Sequence, residues 1–160
     1  MAPATDVTGR GALCTEAALL RSRVLVIRGL VRTLPDLAEA SVVDAVMRLR
    51  PFVNHLAARG RAEEHILYPY AESASATGLT SLRHDHMRLE GLATAIAAWT
   101  PAMGRPKLAL LLTAFCETAE AHLDLEADRC LSVVHEHTSA RTERYLFGEI
   151  EIETFETVRQ

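Results

Sequence analysis

Glu63-Glu64-His65-Ile66-Leu67-Tyr68-Pro69 closes a run of helical character that begins near residue 52, and two later segments answer it. These are His84-Asp85-His86-Met87-Arg88-Leu89-Glu90 and His122-Leu123-Asp124-Leu125-Glu126. Residues four apart on a helix leave from nearly the same face, one turn apart, because four steps rotate the chain by about 400°. His86 with Glu90, and His122 with Glu126, are such pairs, and Glu63 is the inward member of the first segment. Three helices that each aim imidazole or carboxylate at a shared interior are how a helical bundle builds a metal site.

The flanking sequence supplies the helices. Leu13, Ala17, Leu20, Val24, Ile27 and Val31 recur at three- and four-residue intervals and predict a helix over 12–33. Glu16 is the one acidic residue on its inward face, which carries no His. Pro35 and Asp36 interrupt the pattern, and Asp36 suits a helix cap. Residues 36–72 are again helical, with a kink or break expected near Arg50 because Pro51 removes a hydrogen bond and crowds the preceding turn. Gly60 weakens this helix by roughly 1 kcal/mol relative to Ala and lets a neighbour come close to the backbone. Pro69 and Ser73-Ala74-Ser75-Ala76-Thr77-Gly78 predict its end and a loop. Thr80 or Ser81 is the expected cap of a third helix reaching about Trp99, with Leu82, Leu89, Leu92, Ala93 and Ile96 as its apolar stripe. A fourth runs from Pro106, which suits a first turn, to about His137. Short connections make this an all-α, up-down four-helix bundle over 12–138, behind a disordered lead at 1–11. The remaining residues, 139–160, alternate apolar and polar from Glu149 on. That predicts an extended C-terminal tail, either an arm over the bundle or a homodimer contact, with a frayed acidic tail as the alternative.

The chain of 160 residues is long enough for one domain with a real core. Its net charge of −4 and the lack of a basic stripe argue against a nucleic-acid partner. No apolar run is long enough for a membrane span, and the first residues carry no secretory pattern. Cys14, Cys116 and Cys130 stand at no metal-knuckle spacing and suit reduced, packed thiols in a cytoplasmic protein.

Two His and three Glu, namely Glu63, His86, Glu90, His122 and Glu126, form a nitrogen- and oxygen-rich donor set suited to iron or manganese. One His–Glu pair at this spacing is commonly a surface ion pair. Two pairs on separate helices, with a further carboxylate, point to a bound cation. Three carboxylates against Arg59 leave an excess of negative charge, which a metal ion or protonated His would balance. His65 and His84 fall about 200° from a candidate ligand and belong outside. His135 and His137 meet the dipole at a helix end. His55 lies about 80° off the Glu63 face, a candidate for the cavity mouth. Glu64 and Asp128 are expected to be exposed.

The Glu-Glu-x-x-Leu-Tyr-Pro ending at Pro69, His86 early in the third helix and His122-x-x-x-Glu126 in the fourth resemble the hemerythrin-like (HHE cation-binding) family, over roughly residues 20–131. The resemblance implies a four-helix bundle around a non-haem di-iron centre, with roles in oxygen binding, oxygen or redox sensing, and iron handling. It makes Glu63 a bridging carboxylate, His86, His122 and Glu126 ligands, and Glu90 a second ligand of the third helix. Two departures stand out: Val24 and Arg59 occupy positions where the family carries His, and a guanidinium has no lone pair to give. Beyond Glu126, Cys130 and Leu131-Ser132-Val133 replace the usual second Leu-Phe-Pro pattern. Reversible oxygen carriage relies on a His-rich pair of irons. The carboxylate-rich remainder implies instead an oxidase or oxygenase that activates O2 to oxidise a small-molecule substrate, with Arg59, His55 and Tyr68 at the substrate. Two alternatives stay open. One is a protein that senses or binds O2, NO, redox state or iron without turnover; the other is a metal-free relative using the cavity for acid–base chemistry or ligand binding.

Overall fold

Helix-forming sequence and glycine punctuation account for most of the architecture. The computed structural model describes residues 12–159; the lead expected at 1–11 lies outside them, as does the side chain of Cys14. The elements are α1 (Ala12–Thr33), α2 (Glu39–Ser73), α3 (Leu79–Ala97), α4 (Arg105–Glu126), α5 (Ser132–His137) and α6 (Ala140–Val158), with no strand among the described residues. A 3-10 turn, Leu34–Asp36, joins α1 to α2, and a π-helical turn, Ala127–Leu131, carries α4 into α5. Gly78, with φ of 78°, introduces α3 in place of the expected Thr80 or Ser81 cap. Its left-handed backbone is one that favours glycine. Gly104, also at φ 78°, turns the chain into α4, and the Trp99 Nε1–H donates to its carbonyl at 3.1 Å.

Neither proline ends α2: the helix runs unbroken through Pro51 and past Pro69 to Ser73. Both prolines sit on its exposed side, where water can take the carbonyls they leave free.

α3 packs between α2 and α4, and α1 packs against α4, giving the up-down bundle. The buried apolar residues fall into two clusters. One holds Val24, Ile27, Val46, Leu56, Leu89, Ile96, Leu112 and Phe115. The other holds Leu67, Tyr68, Leu82, Cys130, Val134, Leu146 and Ile150. On α2, α3 and α4 a buried polar residue sits in sequence between members of the two clusters: Arg59 and Glu63, His86, and His122 with Glu126. The polar layer is therefore a seam between two apolar cores.

The expected extended tail is instead α6, a helix lying along α2 and touching α1. Ser139 caps it, accepting from the Thr142 backbone N–H at 3.2 Å. Glu143, Leu146, Ile150 and Thr154 form its buried stripe at helical spacing, which overrides a short stretch of period-two alternation. No described helix is long and apolar enough to cross a membrane.

Candidate metal centre

Glu63 of α2, His86 of α3, and His122 and Glu126 of α4 are all buried, and their donor atoms lie within 4.8 Å of one another. His86 Nε2 lies 3.1 Å from His122 Nε2. Glu63 Oε2 is 3.3 Å from His86 Nε2, and Glu126 Oε2 is 4.0 Å from His122 Nε2. The Tyr68 hydroxyl reaches His86 Nε2 at 3.3 Å from beneath, its ring stacked on the imidazole at 5.5 Å and 13°.

Local structure aims these rings. His86 Nδ1–H donates to Glu64 Oε1 at 2.8 Å, which fixes the tautomer and turns the Nε2 lone pair inward. Asp85 Oδ2 stands 3.8 Å from His122 Nδ1, on the same side relative to that ring. Gly60 makes room: a Cβ there would lie 2.7 Å from His86 Cδ2. Two imidazole lone pairs cannot face each other at hydrogen-bond distance without a proton or a cation between them.

Burial and neighbouring charge distribute the protons of the metal-free site unevenly. Burial, reinforced by Glu63, pushes the Glu126 carboxyl well above the usual carboxylate range. Burial would raise Glu63 too, but Arg59 and then His86 outweigh it and bring it down to about 2. Burial, with His86 beside it, lowers His122 to about 4. His86 goes up, because Glu63 and Glu64 overcome its burial. At neutral pH Glu63 is therefore ionised and His122 neutral, while Glu126 and His86 hold their protons to higher pH than an ordinary carboxyl and imidazole do.

These residues fit a metal ion. Glu126 Oε1 is buried without a hydrogen-bond partner among the described residues. A cavity of about 10 Å³ lies between the four donors, walled by Leu20, Leu56, Leu89 and Leu123. Two imidazole nitrogens and two carboxylates are a donor set for iron, manganese or zinc.

Glu90, expected among the ligands, does not join the group. Its side chain is 46 % exposed and ion-pairs with Arg61. His86, Leu89, Ala93 and Ile96 make the inward stripe of α3, which leaves Glu90 at the edge facing α2. Glu64, expected outside, is half-buried against His86. Arg59, one of the candidate substrate residues, pairs with Glu63 at 2.6 Å and also with Glu16 of α1. Tyr68 is fully buried under His86, and His55 stands apart from the four donors, grouped with Glu16 and Glu151. His65 and His84 are exposed; His65 meets Glu153 at 2.7 Å. His137 Nδ1 lies 2.9 Å from the Val133 carbonyl at the end of α5. Cys116 and Cys130 are buried in the two apolar clusters.

Sequence reasoning passed over Glu16 and Glu64 as members of the site, though each left a signal. Glu16 is a lone acid on an otherwise apolar stripe. Glu64 is one turn after Gly60, on the same face of α2 that receives the His86 ring.

The chain matches no protein-family model, and no curated protein or solved structure is detectably similar to it. The all-helical domain with its buried two-His, two-Glu cluster is consistent with a hemerythrin-like fold.

Proposed function

We propose that this chain is a divergent hemerythrin-like protein that binds iron, or manganese in its place, through Glu63, His86, His122 and Glu126. It works as a binding protein, responding to O2, NO, redox state or the metal itself, rather than as an enzyme with turnover. One observation carries this reading: two imidazole Nε2 atoms converge at 3.1 Å inside a ring of carboxylates. A cation would take the place of the proton that His86 shares with His122 and make ligands of both nitrogens.

Bound iron supplies a change of valence and an open coordination position. The chain's own residues do the rest. Glu64 holds the His86 tautomer, the surrounding leucines exclude water, and Arg59 offsets part of the carboxylate charge. The size of the cavity, about 10 Å³, favours binding over oxidation of an organic substrate. That is room for about one water-sized body, which the ion itself would take, and none for an organic substrate. The groups that would hold a substrate are engaged elsewhere: Arg59 with Glu63 and Glu16, Tyr68 beneath His86.

Protein purified from iron-supplemented growth tests the proposal through metal content per chain and optical spectra, taken before and after reduction and on exposure to O2 or NO. The expected result is bound iron, a spectrum that responds to the gas, and loss of most of the metal in Glu126→Ala and His122→Ala. Wild-type protein without metal, or variants that keep all of it, would overturn the assignment. Sustained O2 consumption with an added small molecule would restore the oxidase reading.

A further inference from the structure

Resting on that metal-binding reading, we infer that Arg59 is a built-in cation that holds the centre to one metal ion and keeps a second ligand set, Glu16, His55 and Glu151, closed to metal. α2 presents His55, Arg59 and Glu63 at successive four-residue steps, each about 40° on from the last, with the guanidinium between an imidazole and a carboxylate. Glu63 has an oxygen turned each way: Oε2 lies 3.3 Å from His86 Nε2, and Oε1 lies 2.6 Å from Arg59 Nε. The far side of Arg59 faces the second set. Its Nη1 ion-pairs with Glu16 Oε2 and is 3.9 Å from Glu151 Oε1.

Glu16 from α1, His55 from α2 and Glu151 from α6 bring their donor atoms within 4.8 Å of one another. Two ligand sets thus flank one carboxylate, which is arranged to be shared between them. A guanidinium occupies the second position instead of a metal. It stays charged, offers no lone pair, and ion-pairs with the acidic oxygens that would otherwise recruit a second divalent ion. Arg59 is 4 % exposed, so water does little to screen that charge.

Mn²⁺ titration of the full chain, read by calorimetric stoichiometry, bound metal per chain and electron paramagnetic resonance, tests this. Wild type and Arg59→Lys should bind one ion with the spectrum of an isolated site. Arg59→Ala and the longer, neutral Arg59→Gln should bind two, with the spectrum of a coupled pair. Adding Glu151→Ala to either should return the count to one. Two ions in wild type overturn the inference even if neither variant folds. One ion in wild type and one in both folded variants overturn it while leaving the metal reading intact. A wild type that takes up no Mn²⁺ removes the metal reading and this inference with it.

Discussion

The ring of His86 lies where any side chain on residue 60 would have to be. In an open helical position Ala is favoured over Gly by about 1 kcal/mol. At Gly60 the added Cβ would sit 2.7 Å from Cδ2 and 2.8 Å from Cγ of the imidazole, closer than carbon atoms approach without something shifting. Gly60→Ala is therefore expected to lower metal affinity at least tenfold while leaving the helix content intact. Gly91→Ala, where nothing lies within 4 Å of the added atom, should raise stability by about 1 kcal/mol and leave affinity unchanged. Metal-binding isotherms and urea melts of the two variants separate these outcomes; equal affinities would mean that Gly60 does not position His86. The same scale shows what spacing can and cannot tell. Glu63, His86, His122 and Glu126 come together, and of the two pairs at a four-residue interval only His122–Glu126 brings both its members. Glu90 has the right interval from His86 but stays at the rim, and Glu64 is at the site although its position in the segment pointed outward. An interval fixes which residues share a face; only the neighbouring helix decides which edge of that face is covered. His86 and Glu90 both lie toward α2, where Gly60 admits the His86 ring to the interior and Arg61 holds Glu90 at the half-exposed rim.

Among the elements, α6 is where sequence and structure part company, and two isoleucines test the outcome. A strand would put Ile150 and Ile152 on one face, since alternate residues share a side. A helix sets them about 200° apart. Ile150 is fully buried against the second apolar cluster, while Ile152 is 56 % exposed. Ile150→Ala should cost about 2–5 kcal/mol in denaturant unfolding, and Ile152→Ala no more than about 0.5 kcal/mol. Comparable losses at the two positions would contradict the helix. The alternation misleads because Glu149 to Phe155 is short and the acidic residues in it could belong to either period. The longer series, Glu143, Leu146, Ile150 and Thr154, together with the Ser139 cap, carries the helical signal. The other helices were legible because their apolar stripes run for several turns; that of α1 predicts its observed limits. The continuity of α2 was not legible, since a proline's effect depends on which side of the helix it faces, and burial is a tertiary property.

At the scale of the whole molecule, the polar seam separates the two apolar cores, so its charge state bears on the stability of the entire bundle. Each shifted group has its own pH window. His122, lowered from 6.5 to about 4, stabilises the fold fully above 6.5 and loses that contribution as pH falls toward 4, on the order of 3 kcal/mol. Glu63, lowered to about 2, loses its contribution later, between 4.5 and that value. Glu126 has the opposite sign: its raised carboxyl stabilises the metal-free fold below the ordinary value of 4.5, and that contribution is lost as pH rises through the raised one. A metal ion reverses this last dependence. It binds the ionised carboxylate and neutral imidazoles, so the protons held by Glu126 and His86 must leave. Each displaced proton makes affinity rise tenfold per pH unit while the group still holds it, up to about 100-fold per unit for two. At a free metal concentration about 1,000 times Kd the ion adds about 4 kcal/mol. The rise in Tm on adding Mn²⁺ should therefore be larger at about pH 7.5 than at about pH 5.5. Glu126→Gln, which has no proton to lose and gives a poorer ligand, should flatten that dependence and reduce the rise at both pH values. A metal-induced rise in Tm that is the same at the two pH values would place the ion somewhere other than between these four side chains.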